Sequence, residues 1–314
     1  MTVIRLGTRG SALALWQAHE VRARLVAAHG LPEGAVEITV MKTSGDRIQD
    51  RPLSEVGGKG LFTKELEEAL LAGTIDLAVH SMKDVATKLS PGLIIAAVLE
   101  REDPRDAFIS TMSPNFAALP IGAVIGTSSL RRQAQALHAR PDLQVVGFRG
   151  NVETRLKKLA DGVASATFLA VAGLKRLGLA QHITAAIELS EMLPAVAQGA
   201  VGVEIRADDE RTAQLLGRLD HQPTHLAISA ERAFLARLDG SCRTPIGGLA
   251  ELDANNRITF RGEILSPDGR QAYSTGRTGP AQTAIQMGEE AAHELLSMAG
   301  PAFFATVQAA AGNS

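Results

Sequence analysis

Five short stretches of this chain carry residues that can hold an anion or move a proton. They are Thr8, Arg9 and Ser11; Ser81, Lys83 and Asp84; Thr127, Ser128, Ser129, Arg131 and Arg132; Arg149 with Arg155; and Lys175 with Arg176. Cations and hydroxyls dominate. Arginine's planar fork makes two parallel charge-assisted bonds to a carboxylate or phosphate. Helix N-termini add backbone N–H groups and a favourable dipole. The chemistry this set suits is recognition of a small polyanion. Asp84 is its acidic member, and a carboxylate among cations is ionised. It either neutralises its neighbours or stabilises a cationic intermediate and shuttles a proton; the residues alone leave both open.

Cys242, in GSCRTPIGG (240–248), is the only cysteine. It excludes an internal disulfide and a Cys-based zinc site, and no HExxH is present, so no metal is expected. The thiol follows the C-terminus of an expected helix, where the dipole disfavours a thiolate. Two readings remain, an inert thiol or an anchor for a thioether on a glycine-rich loop. VGGKGLF (56–62) fails as a phosphate loop because Lys59 precedes Gly60 rather than Ser or Thr.

The elements that must position these residues alternate. Strands are expected at 3–6, 35–41, 75–80, 93–99, 123–129, 143–150, 166–174 and 201–205, with helices between them. Leu15, Ala18, Val21, Leu25 and Ala28 mark a helix over 11–28. Leu130, Ala134 and Leu137 mark one inward face, and Asn151 can cap the helix after it. This βα alternation gives α/β with mainly parallel sheets, arranged as two lobes with a cleft between them. Candidate crossings are 99–108 and 193–202. Ligands of open α/β sheets bind beyond the carboxyl ends of the strands, where the polar stretches fall. After Pro223 a helix, strands at 257–264 and 271–277 and a last helix over 281–298 form a small α+β domain, with Ile258, Phe260 and Ile264 on one strand face.

The chain has 314 residues and a net charge of −2. That balance, with no flanking basic runs, argues against a nucleic-acid partner for Arg131 and Arg132. No run of about 18 apolar residues occurs, so no membrane span is expected. The N-terminus has no apolar stretch of signal-peptide length, so the expected location is cytoplasmic.

Several segments together resemble the porphobilinogen deaminase (hydroxymethylbilane synthase) family. They are TRGSALALWQ (8–17), VGGKGLFTKELE (56–67), DLAVHSMKDV (76–85), REDPRDAF (101–108), GTSSLRRQ (126–133), RGNVETRL (149–156), LAVAGLKRLGL (169–179), QGAVGVE (198–204) and CRTPIG (242–247). They run in family order from the N-terminus to about Gly248. The resemblance implies two periplasmic-binding-protein-like lobes, 1–99 with 200–219 and 100–199, plus a C-terminal α+β domain, 220–314, carrying the cysteine. It implies a monomeric transferase of porphyrin and heme biosynthesis that condenses porphobilinogen head to tail, with loss of ammonia, onto a dipyrromethane primer. The linear tetrapyrrole is then released by hydrolysis.

The same resemblance makes Cys242 the thioether anchor of the primer and Asp84 the catalytic carboxylate. It assigns Ser81, Lys83, Thr127, Ser129, Arg131, Arg132 and Arg155 to the cofactor's acid side chains. Arg9, Ser11, Arg149 and Arg176 fall to incoming substrate and chain elongation. Departures from the family pattern are Ser241 before the cysteine, Arg243 and Thr244 after it, Ala164-Ser165 before the strand at 166, and Ala197 where glycine is usual. A binding protein for small polyanions on the same two-lobed architecture is the alternative, though it would need no modified thiol.

Overall fold

A computed structural model describes residues 3–47, 60–238 and 244–312. Cys242 and residues 56–59 of the glycine-rich stretch lie outside the described residues. The described residues form two compact units. One holds those up to 47, 60–102 and 199–225; the other holds 103–198 and those from 226 onward.

The first unit is built on a five-stranded sheet. Its strands are β1 (Ile4–Arg9), β2 (Val36–Met41), β3 (Leu77–Ser81), β4 (Leu93–Val98) and, from the far end of the chain, β10 (Val201–Arg206), in the order β2-β1-β3-β10-β4. β1 pairs parallel with β2 and β3, whereas β10 runs antiparallel to β3 and β4. The interior of β10 is buried throughout, as expected of a strand covered on both faces. Helix α1 (Ala12–His29) follows β1. Ser11 caps it by accepting from the Ala14 N–H at 3.3 Å, and Gly30 closes it at φ 60°. Ala18, Val21 and Leu25 lie on its buried face against β1 and β3. Full burial of a leucine such as Leu25 contributes about 2 kcal/mol. Helix α2 (Lys64–Leu71) buries Leu66 and Leu70.

The second unit repeats the pattern. β5 (Asp106–Ser110), β6 (Val124–Gly126), β7 (Gln144–Val146), β8 (Ala166–Ala170) and β9 (Ala185–Ala186) order as β7-β6-β8-β5-β9. β6 pairs parallel with β7 and β8, and β5 is the antiparallel member. In each sheet the antiparallel strand is the first one entered after the chain leaves the other unit. Helices α3 (Leu130–Ala139), α4 (Val152–Ala160) and α5 (Val171–Arg176) follow β6, β7 and β8. Asn151 caps α4, its Oδ1 accepting from the Thr154 N–H at 2.8 Å.

Towards the C-terminus, α6 (Glu210–Leu216) and α7 (Gln222–Arg237) precede an antiparallel meander of β11 (Ile246–Leu252), β12 (Arg257–Leu265) and β13 (Ala272–Pro280). Ile258, Phe260 and Ile264 are fully buried, as their alternation implies. The last helical stretch, α8 (Ala284–Gly312), is broken at Gly300, φ 68°. Among the described residues, no helix is long and apolar enough to cross a membrane.

The expected α/β class with a small C-terminal sheet holds, with three local corrections. β5 begins within the stretch read as a crossing. The run 166–174 is strand only to Ala170 and then turns into α5. β11 was not anticipated.

Candidate active site

Parallel pairing explains why the polar stretches of the first unit meet. β1 and β3 are neighbours running the same way, so their carboxyl ends deliver Arg9 and Ser81 to one end of the sheet. Arg9 lies over the Phe62 ring, its guanidinium carbon 4.1 Å from the ring centroid. Such stacking holds the guanidinium by its face. Ser11 Oγ serves as acceptor in the α1 cap, which leaves its O–H to donate elsewhere. Ser81 meets Gln17, a buried residue of α1 whose Nε2 donates to the serine Oγ at 2.8 Å.

Beyond Ser81 a single 3-10 turn, Met82–Asp84, carries the acidic member of the set. Met82 is buried and its N–H donates to Ala200 O at 3.0 Å, while Lys83 and Asp84 are exposed. The turn is thus fastened through its buried residue and presents its two charged ones. One residue earlier, His80 and Glu204 form a buried pair at 3.0 Å between β3 and β10.

In the second unit the parallel strands β6, β7 and β8 deliver Thr127, Arg149 and α5, respectively, to one end of the sheet. The Ser129 Oγ caps α3 by accepting from the Arg132 N–H at 3.4 Å, and the Thr127 Oγ1 accepts from the Ser129 N–H at 3.2 Å. Both hydroxyls therefore shape the helix start. The Arg155 Nε donates to Gly150 O at 2.9 Å. Arg149 is half-buried, and its Nη1 is buried without a hydrogen-bond partner. Arg176, in the last turn of α5, is half-buried.

The buried face of α3 differs from expectation. Leu130 and Leu137 are only half-buried, while Arg131, Arg132 and Gln135 are buried beside Ala134 and Ala136. The reason is Asp106 at the start of β5, itself buried. Arg132 Nη2 donates to its Oδ1 at 2.7 Å. Arg131 Nη1 lies 2.7 Å from its Oδ2 as an ion pair rather than a well-directed hydrogen bond. Arg132 Nη1 also donates to Phe168 O at 2.8 Å, and Arg131 Nη1 to Leu193 O at 2.8 Å. Arg131 Nε is buried with no hydrogen-bond partner.

Electrostatics in this cluster are strong. Burial is the largest single influence on Asp106 and opposes its charge, but the two guanidiniums together hold its carboxyl well below the usual range. Burial also lowers Arg131 from its ordinary value; a guanidinium has ample margin to stay charged at neutral pH. Glu263 on β12 is shifted the other way. Burial raises its carboxyl, partly offset by the Gln135 amide that donates to it and by Arg131.

Gln17, Asp106, Gln198 and the His80–Glu204 pair escaped the sequence reading because each acts through a partner far along the chain. A lone acid opening the apolar run DAFIS was the one visible signal. Ala197, where glycine is usual, has φ 59°, a conformation that favours glycine; its N–H donates to the buried Glu231 Oε2 at 2.6 Å.

These features define a two-unit α/β protein whose strand ends carry cations, hydroxyls and the exposed acidic turn Met82–Asp84. The family model described as "Porphobilinogen deaminase, dipyromethane cofactor binding domain" matches residues 4–214, and "Porphobilinogen deaminase, C-terminal domain" matches 225–297. Porphobilinogen deaminase of Paracoccus denitrificans is 60% identical over 301 residues, covering 96% of this chain and 96% of that protein. The chloroplastic porphobilinogen deaminase of Oryza sativa subsp. japonica is 54% identical, covering 98% and 87%. A periplasmic substrate-binding protein of an ABC transporter from Coxiella burnetii aligns at 15% identity and TM-score 0.44, covering 73% and 97%. The chain belongs to the porphobilinogen deaminase family. It is a transferase of tetrapyrrole biosynthesis with a dipyrromethane cofactor.

The residues present fit that cofactor. Its acid side chains call for guanidinium and backbone N–H donors, and the second unit offers buried Arg131 Nε, in the first turn of α3, and buried Arg149 Nη1, both without hydrogen-bond partners.

Proposed function

We propose that the two sheet ends and the Cys242 loop share the work of hydroxymethylbilane synthesis as follows. Arg131, Arg132, Arg155, Lys83, Ser81, Thr127 and Ser129 hold the cofactor's carboxylates, and Cys242 is its thioether anchor. Arg9, Ser11, Arg149 and Arg176 receive the acetate and propionate groups of porphobilinogen and of the lengthening chain. The bound dipyrromethane supplies a nucleophilic pyrrole α-carbon.

Asp84 is the catalytic residue. Its carboxylate stabilises positive charge on the substrate as ammonia departs. It also assists protonation of the leaving amine and takes the proton released when the new ring junction regains aromaticity. The observation that carries this role is the exposed Lys83–Asp84 pair on a turn fastened through buried Met82. An acid so presented is within reach of a ligand. The enzyme on this reading is a cytoplasmic monomer with porphobilinogen as its small-molecule partner and neither nucleic acid nor membrane. Its domains run 1–99 with 200–219, 100–199 and 220–314.

Asp84→Asn tests the assignment. Turnover is expected to fall by roughly 10²-fold or more, the scale of lost acid–base and electrostatic assistance, with an unchanged melting temperature. Near-normal turnover would remove Asp84 from the chemistry.

A further inference from the structure

Two buried arginines on α3 share one buried carboxylate. The Asp106 Oδ1 accepts from Arg132 Nη2 at 2.7 Å and Nε at 3.2 Å, and its Oδ2 faces Arg131 Nη1 at 2.7 Å. Gln198 completes the set, its Nε2 donating to Oδ1 at 2.9 Å and to Pro104 O at 2.8 Å. Glu263 reaches the cluster through Gln135, whose Nε2 donates to it, and burial raises its carboxyl. Two guanidiniums thus share the single carboxylate of Asp106, and Arg131 Nε is buried with no hydrogen-bond partner. A buried donor left without an acceptor is costly, and an acceptor on a bound ligand would satisfy it.

We propose that Asp106 is a positioning residue for cofactor capture: it never touches the cofactor but fixes Arg131 and Arg132 side by side at the start of α3, with Gln198 holding the carboxylate in place. The proposal rests on the reading of those arginines as carboxylate partners. An amide at 106 keeps the shape and removes the charge. The forks then lose their common reference and turn to backbone carbonyls such as Leu193 O and Phe168 O, already within their reach.

The test measures, for folded protein as purified, the fraction carrying the cofactor by intact mass, KM and kcat for porphobilinogen, and the melting temperature. Wild type is compared with Asp106→Asn, Asp106→Glu and Arg132→Met. The expected result is at least a fivefold fall in the modified fraction for Asp106→Asn and Arg132→Met, with kcat per total protein falling in step with that fraction and KM changing less than twofold. Asp106→Glu should restore at least half of the modified fraction. Full modification of Asp106→Asn alongside poor modification of Arg132→Met overturns the positioning role, whatever the melting temperature. Full modification of Arg132→Met overturns the underlying reading instead. If Asp106→Asn does not accumulate, Gln198→Leu replaces it, removing one neutral donor and leaving both ion pairs. A twofold or larger fall supports the proposal, and an unchanged fraction refutes it.

Discussion

Gly199→Ala should be among the most damaging single-methyl additions in the chain. Gly199 sits at φ 90°, and a Cβ there would lie 2.4 Å from Glu102 O. Ordinary contact begins near 3.4 Å, so the overlap is about 1 Å against backbone. The carbonyl cannot easily retreat, because the Glu102 N–H donates back to Gly199 O at 3.3 Å. Gly30 provides the internal control, with φ 60° and nothing within 4 Å of an added Cβ. Gly30→Ala carries only the left-handed penalty, about 1 kcal/mol. Gly199→Ala adds overpacking of about 2 kcal/mol, for a total near 3 kcal/mol. At roughly 3 °C per kcal/mol, the melting temperature should drop by about 3 °C for Gly30→Ala and about 9 °C for Gly199→Ala. Circular dichroism melts of the two variants at matched concentration read the difference directly. Equal shifts for the two would refute the reasoning, since the overlap with Glu102 is the largest difference between the two sites.

Other outcomes follow from the carboxylates. Glu263 has a raised value in the folded protein, so folding binds its proton more tightly. Stability from this group is present below the unfolded value and declines as pH rises toward and through the folded one. Glu263→Gln should therefore match or exceed wild type in denaturant midpoint at pH 7 and lose that advantage near pH 4; a variant less stable at pH 7 than at pH 4, relative to wild type, contradicts this. Asp142, hydrogen-bonded by Arg140 Nη2 at 2.7 Å, is held down to about 2. Its contribution is present above the unfolded value and lost as pH falls through about 2. A carboxyl NMR titration should find that midpoint, and Arg140→Gln should return it to near ~3.9.

How far the sequence speaks depends on whether its signals are local. Apolar runs announced eight of the ten strands in the two five-stranded sheets, missing β5 and β9, and the Asn151 boundary follows from side-chain capping within a few residues. The gathering of Arg9 with Ser81, and of Thr127 with Arg149, also followed once parallel strands were inferred, because such strands end together. Interactions set by tertiary pairing stayed hidden. Asp106 makes β5 look like a charged linker, yet its partners lie 26 residues away in α3. The same pairing turned the buried face of α3 from leucines to arginines. Gln17 reads as a surface helix residue until Ser81, 64 residues on, is found against it. The run after Ala166 stays apolar through Leu174, and composition alone does not separate a buried strand from the buried helix that continues it.

In the proposed function Cys242 anchors a polycarboxylate cofactor while Asp84 performs the chemistry. Intact mass spectrometry of purified wild-type and Cys242→Ser protein, with turnover measured on the same samples, tests it most directly. The account predicts a covalent dipyrrole on wild type and an unmodified, inactive Cys242→Ser variant. Fully active protein with an unmodified mass would contradict it.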